Sequence, residues 1–321
     1  MPPILRFAFC SVLALACATA TAQSYPAKPI RLLVGFPGGS TSDVIGRTIA
    51  QKMTESLGQP IVIDNRPGAG GNIAAEMVAH SAPDGYAALY ANTGIAIAIS
   101  ANSKLGYNVL RDLVPVGQAA ATPHVLVIDP ALPVHSVSEM IAYAKARPGK
   151  LNFASTGAGN SDHLAAELFK SIAGIDMLHV PYKGGVQATA DVVGGQIAMY
   201  FAGLTVAVPL IKGGKLRALA VTSARRSSTT PDIPTMQEQG VAGYEHVLWN
   251  AVFVPAATPN DIVARLDAEL AKAVKSPDVN ERLAVLGAEP YSRSSAEMSR
   301  YLKSEIDKYA RVVRAINLKL D

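Results

Sequence analysis

Short apolar runs alternate along most of the chain with segments whose apolar positions recur every three or four residues. Ile30 to Val34 reads as a buried strand within residues 30–36, and Val44, Ile45, Ile49 and Met53 then mark one face of a helix over 42–57. The same alternation predicts strands at 61–64, 86–91 and 114–121, with a helix at 73–80. A new run at 125–128 follows Thr122-Pro123. Helices at 137–146, 161–172 and 186–193 then alternate with strands at 177–180, 196–201 and 216–222. A helix at 206–212 is compatible with Pro209 only if that residue falls in the first turn. Residues 223–244 are polar and rich in Pro and Gly, as a surface connection is. The apolar run at 247–254 returns as a strand, and helices at 262–274, 278–286 and 295–316 close the chain. Strand–helix alternation of this kind predicts mainly parallel sheets with helices on both faces.

Two junctions in this pattern have the same plan. Gly35-Phe36-Pro37-Gly38-Gly39-Ser40-Thr41-Ser42-Asp43 joins a strand to a helix through a Gly-rich bend, with Ser40 and Asp43 spaced as a capping box. Leu151-Asn152-Phe153-Ala154-Ser155-Thr156-Gly157-Ala158-Gly159-Asn160-Ser161-Asp162 repeats it, and Ser42-Asp43 and Ser161-Asp162 are read as equivalent. The start of a helix offers unpaired backbone N–H groups and the positive end of its dipole, which is a generic anion site. One such bend is commonplace, but two in one chain suggest two facing halves. A weak internal repeat agrees, since 61–64 with Pro67-Gly68 corresponds to 178–180 with Lys183-Gly184-Gly185. In the same way Asp84-Gly85 with 87–90 corresponds to Gly194-Gly195 with 197–200. The runs at 125–128 and 247–254 both end at a proline, Pro130 and Pro255. The chain is therefore expected to enter a second lobe near Pro123 and leave it near His246 through a hinge of two strands.

Length and composition set the frame. The 321 residues, 49% of them hydrophobic, suffice for one large or two medium domains. Residues 1–22 read as a secretory leader, with Arg6, an apolar core and Ala20-Thr21-Ala22 as a cleavage site. Leu15-Ala16-Cys17 has the outline of a lipidation signal, but Ala14 stands where a larger residue is usual. Cys10 and Cys17 are the two cysteines, so cleavage after Ala22 leaves no thiol and no disulfide. It also removes one arginine, leaving 28 basic against 25 acidic residues, a formal +3. No Lys/Arg block with interleaved aromatics occurs, which argues against nucleic acid.

Seven ordered motifs resemble one family. They are residues 36–43, Asn65-Arg66-Pro67-Gly68-Ala69-Gly70-Gly71-Asn72, Ala82-Pro83-Asp84-Gly85-Tyr86, residues 155–169, Val180-Pro181-Tyr182-Lys183-Gly184-Gly185, Arg217-Ala218-Leu219-Ala220-Val221-Thr222-Ser223, and Val254-Pro255-Ala256-Ala257-Thr258-Pro259. Over the whole mature chain the sequence is similar to the Bug-family periplasmic receptors of tripartite tricarboxylate transporters. The resemblance implies an α/β, two-lobed type II periplasmic binding fold with a two-strand hinge. Its lobe I is residues 23–122 with 247–321, and its lobe II is residues 123–246. It also implies a monomer in the periplasm that captures a small organic carboxylate for membrane permease subunits. No cofactor, metal or catalytic residue is implied. In the family a ligand carboxylate lies between the two bends, held by amides, hydroxyls and waters rather than by an arginine. Carried over, the ligand-binding residues are Phe36, Gly38, Gly39, Ser40 and Thr41 from the first bend. The second bend gives Ser155, Thr156, Gly157, Gly159, Asn160 and Ser161, and a third polar loop gives Asn92 and Thr93. Many relatives carry an acid where Ala202 stands, so the resemblance implies a ligand without an ammonium group. Asp162 is read as a partner of the helix dipole, pointing outward.

Plainer or rival readings accompany these. Asp43 is expected to cap rather than touch ligand, and residues 65–71 to close a strand–helix junction, since they lack the Gly-Lys-Ser/Thr of a phosphate loop. Trp249 and Tyr182 are expected to pack the core or hinge. The six histidines show no His-x-x-x-His spacing for zinc. Ser155 or Ser161 with His163 and Asp162 would make an exported serine hydrolase, but no Gly-x-Ser-x-Gly elbow occurs. A sensor feeding a membrane signalling kinase would carry the same binding site.

Overall fold

The computed structural model describes residues 25–102, 104–182 and 184–319. The predicted leader, with Cys10 and Cys17, lies outside them. One parallel unit forms from β1 (Ile30–Val34), β2 (Ile61–Asn65) and β3 (Ala87–Asn92), with β1 in the middle. A second forms in the same arrangement from β5 (Asn152–Ser155), β6 (Leu178–Pro181) and β7 (Met199–Gly203), with β5 in the middle. The weak repeat in the sequence is thus a repeat of strand order. The two units are joined through β4 (Leu113–Ile128) and β9 (Val247–Pro255), giving the order β2-β1-β3-β9-β4-β7-β5-β6. β8 (Arg217–Val221) and β10 (Glu289–Ser294) pair with β4 off this path.

β4 corrects the sequence reading, which divided it into two strands at Thr122-Pro123. The strand is continuous, and Pro123 falls where one ladder gives way to the next. Residues before it pair with β9, ending at Pro123 opposite Val247, and pairing with β7 starts at His124. A proline has no N–H to donate, so a strand tolerates it at the end of a ladder. This places the two connecting strands, β4 and β9, side by side and antiparallel.

The helices are α1 (Thr41–Leu57), α2 (Asn72–Ala79), α3 (Gly94–Ala101), the single turn α4 (Val109–Asp112), α5 (Val137–Lys145), α6 (Ser161–Ala173), α7 (Gly185–Val193), α8 (Leu204–Lys212), α9 (Asn260–Lys275), α10 (Pro277–Val285) and α11 (Ser295–Ala315). α3, α4 and β10 had no sequence counterpart. α3 is apolar but for Ser100, so periodicity gives no face to detect. Pro209 lies beyond the first turn of α8, against expectation. α11 opens with a true capping box, Ser294 with Glu297, and packs on α3 and β4. Trp249 is fully buried there and donates from Nε1 to Glu305 Oε2 at 3.0 Å. It packs, as expected. Tyr182 donates its hydroxyl to Asp191 Oδ2 at 2.6 Å.

Candidate functional site

The two bends are superimposable in kind. Each ends in a left-handed glycine, Gly39 at φ +82° and Gly159 at φ +79°. Each then has an extended N-cap, Ser40 (φ −67°, ψ 157°) and Asn160 (φ −70°, ψ 163°), before α1 and α6 begin. A side chain is rarely held at such a positive φ, which accounts for glycine there. This geometry shifts the sequence pairing by one residue. Thr41 answers to Ser161, and Asp43 answers to His163. The hydrogen bonds agree, because Gly39 N–H donates to Asp43 Oδ2 at 2.8 Å and Gly159 N–H to His163 Nδ1 at 3.1 Å.

Each bend is tied from behind by its own side chains. In the first, Ser40 Oγ accepts from Asp43 N–H at 3.3 Å, while the Asp43 carboxylate also accepts from Arg47 Nε and from Asn65 Nδ2. Burial raises the pKa of Asp43, but Arg47, Asn65 and the Gly39 amide outweigh it and the net shift is downward. Asp43 therefore caps, as expected. Gly35 lies so close to the turn before α2 that an added Cβ would meet Gly71 Cα at 2.5 Å. In the second bend Asp162 is only 3% exposed, which corrects its outward assignment. Its Oδ2 accepts from Thr156 N–H at 2.7 Å and from the Tyr200 hydroxyl at 3.0 Å, and its Oδ1 from the Thr156 hydroxyl at 3.0 Å and His163 N–H at 2.9 Å. Ser155 is fully buried, with Oγ 2.6 Å from His179 Nε2 and accepting from Gly157 N–H at 3.0 Å. His163 and His179 stack at 4.1 Å beside Phe153. Burial, then His179 and Lys170, push the His163 pKa down to about 4, and burial is the first cause of the downward shift of His179. Both rings are neutral at neutral pH. The Ser–His pairings are thus Ser155 with His179 and Ser161 with His246, and His163 bonds to neither serine.

Between the bends lies a cavity of about 350 Å³, within the range of small-molecule sites. Phe36 stands on one side and Ala158, Gly159, Asn160 and Ser161 on the other. Asn92 comes from the end of β3, Thr93, Gly94 and Ile97 from the start of α3, Ala69 and Gly70 from the loop before α2, Asn72 from the first position of α2, and Leu248 from β9. The wall has no ionisable side chain. Its polar character comes from amides, hydroxyls and helix starts. Among the described residues, no acceptor pairs with the Ala158, Ser161 or Asp162 amides. Behind Phe36 a cavity of about 10 Å³ adjoins Tyr90, whose buried hydroxyl has no partner among the described residues. That volume suits one water.

Of the predicted set, Phe36, Asn92, Thr93, Gly159, Asn160 and Ser161 are brought to this wall. Gly38, Gly39, Ser40 and Thr41 stand outside it on the first bend, and Ser155, Thr156 and Gly157 lie behind or beside it on the second. Thr93 Oγ1 is already occupied, accepting from Trp249 N–H at 3.0 Å and donating to Val247 O at 3.2 Å, so it ties α3 to β9. Ala202 is fully buried in an apolar cluster with Val125, Val127 and Leu204 and takes no part in the wall. The residues missed are Ala69, Gly70 and Asn72, together with Gly94, Ile97, Ala158 and Leu248. The loop before α2, expected only to close a strand–helix junction, contributes wall. Its pair of glycines next to Asn72 was the available signal. No group of His, Cys, Asp or Glu among the described residues is arranged to hold a metal ion.

The model of the tripartite tricarboxylate transporter family receptor matches residues 45–318. Among solved structures the chain is similar to R. palustris Rpa4515 with adipate, at 35% identity over 92% of this chain and 99% of that one, with a TM-score of 0.73. It is similar to MatC from Rhodopseudomonas palustris with bound malate, at 32% identity, 90% and 100% coverage and a TM-score of 0.70. It is likewise similar to the periplasmic binding protein BugD, at 30% identity, 92% and 99% coverage and a TM-score of 0.70.

Proposed function

The chain belongs to the tripartite tricarboxylate transporter receptor family, and we propose that it captures a dicarboxylate of the malate-to-adipate class in the periplasm and presents it to the transporter's membrane permease subunits. It is a solute-binding receptor and not an enzyme, with the two-lobed α/β fold of periplasmic binding proteins. The observation that carries the ligand class is the cavity wall. Helix starts and amide donors converge there without a cation, which suits an anion bound by many weak donors rather than by one ion pair. Relatives with adipate and malate support the class.

The lobes in this reading are 23–122 with 247–321, and 123–246, the ladder change at Pro123 opposite Val247 supporting that division. Phe36 of the first bend and Ser161, Asn160 and Gly159 of the second grip the carboxylate, with Asn92 and Thr93 shaping the third side. Closing on a ligand that touches both lobes shifts the population toward the closed form by the difference in affinity between the two forms. The protein works as a monomer.

The test is a thermal-shift and calorimetric screen of the mature protein against mono-, di- and tricarboxylates. At a hundredfold excess over the dissociation constant a ligand stabilises by about 2.7 kcal/mol, a readily measured shift. Saturable binding of a dicarboxylate is expected. No shift with any carboxylate would overturn the proposal.

A further inference from the structure

Ser161 sits in the cavity wall with a buried support behind it. Its Oγ is 2.8 Å from His246 Nε2, and His246 Nδ1 is 2.8 Å from the Tyr309 hydroxyl. His246 precedes β9, Tyr309 belongs to α11, and both are fully buried. Burial is the main cause that pushes the His246 pKa well below its ordinary value, and His124 and Lys308 add to it. The ring is therefore neutral and carries one N–H and one lone pair.

Two arrangements satisfy a neutral ring. In one, Ser161 donates to Nε2 and Nδ1–H donates to Tyr309. In the other, Tyr309 donates to Nδ1 and Nε2–H donates to Ser161. Tyr309 decides between them. Among the described residues its hydroxyl has His246 as its only hydrogen-bond partner, and a buried O–H pointed elsewhere goes unpaired at a cost of about 1–3 kcal/mol. Tyr309 thus donates to Nδ1, the ring proton sits on Nε2, and Ser161 Oγ accepts it. The serine's own proton is then turned toward the cavity.

We propose that His246 and Tyr309 are positioning residues that lock Ser161 as a hydrogen-bond donor toward the ligand carboxylate, selecting an acceptor-only group over one that presents N–H. This rests on the carboxylate reading above. The same arrangement disables Ser161 as a nucleophile, because the nitrogen that would take its proton already holds one.

Nitrogen-edited NMR of the histidine rings in the ligand-free wild-type protein tests the lock, the His246 signals being assigned by their absence in His246→Asn. The expected result is a lone pair on Nδ1 and a proton on Nε2. Titrations with adipate and malate form the second arm. Ser161→Ala is expected to weaken binding by about tenfold or more, as loss of a hydrogen bond to a charged group does. Tyr309→Phe is expected to weaken it severalfold, and the double variant to bind no worse than Ser161→Ala alone. Nδ1–H in a protein that binds adipate or malate overturns this proposal and leaves the carboxylate reading standing. So does an equal loss from Tyr309→Phe with and without Ser161. Absence of binding by the wild-type protein overturns both.

Discussion

Asp162 offers the sharpest test of how the second bend is built. Replacing it by alanine removes the acceptor of Thr156 N–H, of the Thr156 hydroxyl, of His163 N–H and of the Tyr200 hydroxyl. The Thr156 hydroxyl is at a half-buried residue and can turn to water. Tyr200 and His163 are buried, so the Tyr200 hydroxyl and the His163 amide are orphaned along with the Thr156 amide. Each buried donor left unpaired costs about 1–3 kcal/mol, so with three of them Asp162→Ala should lose about 6 kcal/mol. Asparagine can keep most of this set. Its Oδ1 replaces the oxygen that serves Thr156 N–H and Tyr200, and its Nδ2 can donate to the Thr156 hydroxyl. What goes is the extra strength of bonds to a charged acceptor and the bond from His163 N–H, about 2–4 kcal/mol together. Urea unfolding of the two variants measures the difference. Tyr200→Phe removes one orphan, so it should recover about 1–3 kcal/mol of the alanine variant's loss. Equal destabilisation by Asn and Ala would refute the hydrogen-bond account, as would an alanine penalty that Tyr200→Phe does not reduce.

Further consequences follow from the same geometry. Gly35→Ala forces a methyl against the Gly71 backbone and should cost about 1–3 kcal/mol by overpacking, read by urea unfolding; an unchanged midpoint would show that the two loops can part freely. His163 must stay neutral to accept from Gly159, and its folded pKa of about 4 lies below the unfolded value of about 6.5. The stability it provides is complete above about pH 6.5 and is lost as pH falls toward 4, about 3 kcal/mol in all. His163→Gln, still able to accept from Gly159, should flatten the slope of stability against pH in that window, where His179, Lys170 and the Glu167 carboxylate 3.8 Å from Nε2 are its charged or titratable neighbours. Leu248→Asp sets a charge on the cavity wall; at about 6 Å and an effective dielectric of about 20 the repulsion is about 3 kcal/mol, near a hundredfold loss of adipate or malate binding. Leu248→Asn should lose far less, and equal losses would point to packing instead of charge.

The parallel units were legible because their strands are short apolar runs between turn residues, and because the repeat of order appears twice. The two bends were legible for a stronger reason, since glycine at a left-handed position followed by a capping residue is nearly the only way to write that backbone. What the sequence misplaced was the detail inside the bend. Ser42-Asp43 and Ser161-Asp162 match as letters, but the caps align Asp43 with His163, and a carboxylate and a neutral imidazole do the same job of accepting one glycine amide. Similarity of letters cannot reveal an equivalence of acceptors. β4 was split because a proline within a strand normally ends it, and only the pairing of its neighbours shows that Pro123 needs no N–H there. The relay from Tyr309 to Ser161 was out of reach for another reason, because its members are dispersed among α11, the residue before β9 and the start of α6. Both bends also bury a carboxyl group behind a helix start, Asp43 in one and Asp162 in the other. Each is turned away from the cavity and spends its acceptors on the bend's own donors. In the second bend the Ala158, Ser161 and Asp162 amides are not consumed this way among the described residues, and Ala158 and Ser161 line the cavity. The carboxyls thus hold the backbone of the bends in place, and the cavity wall is left without an ionisable side chain.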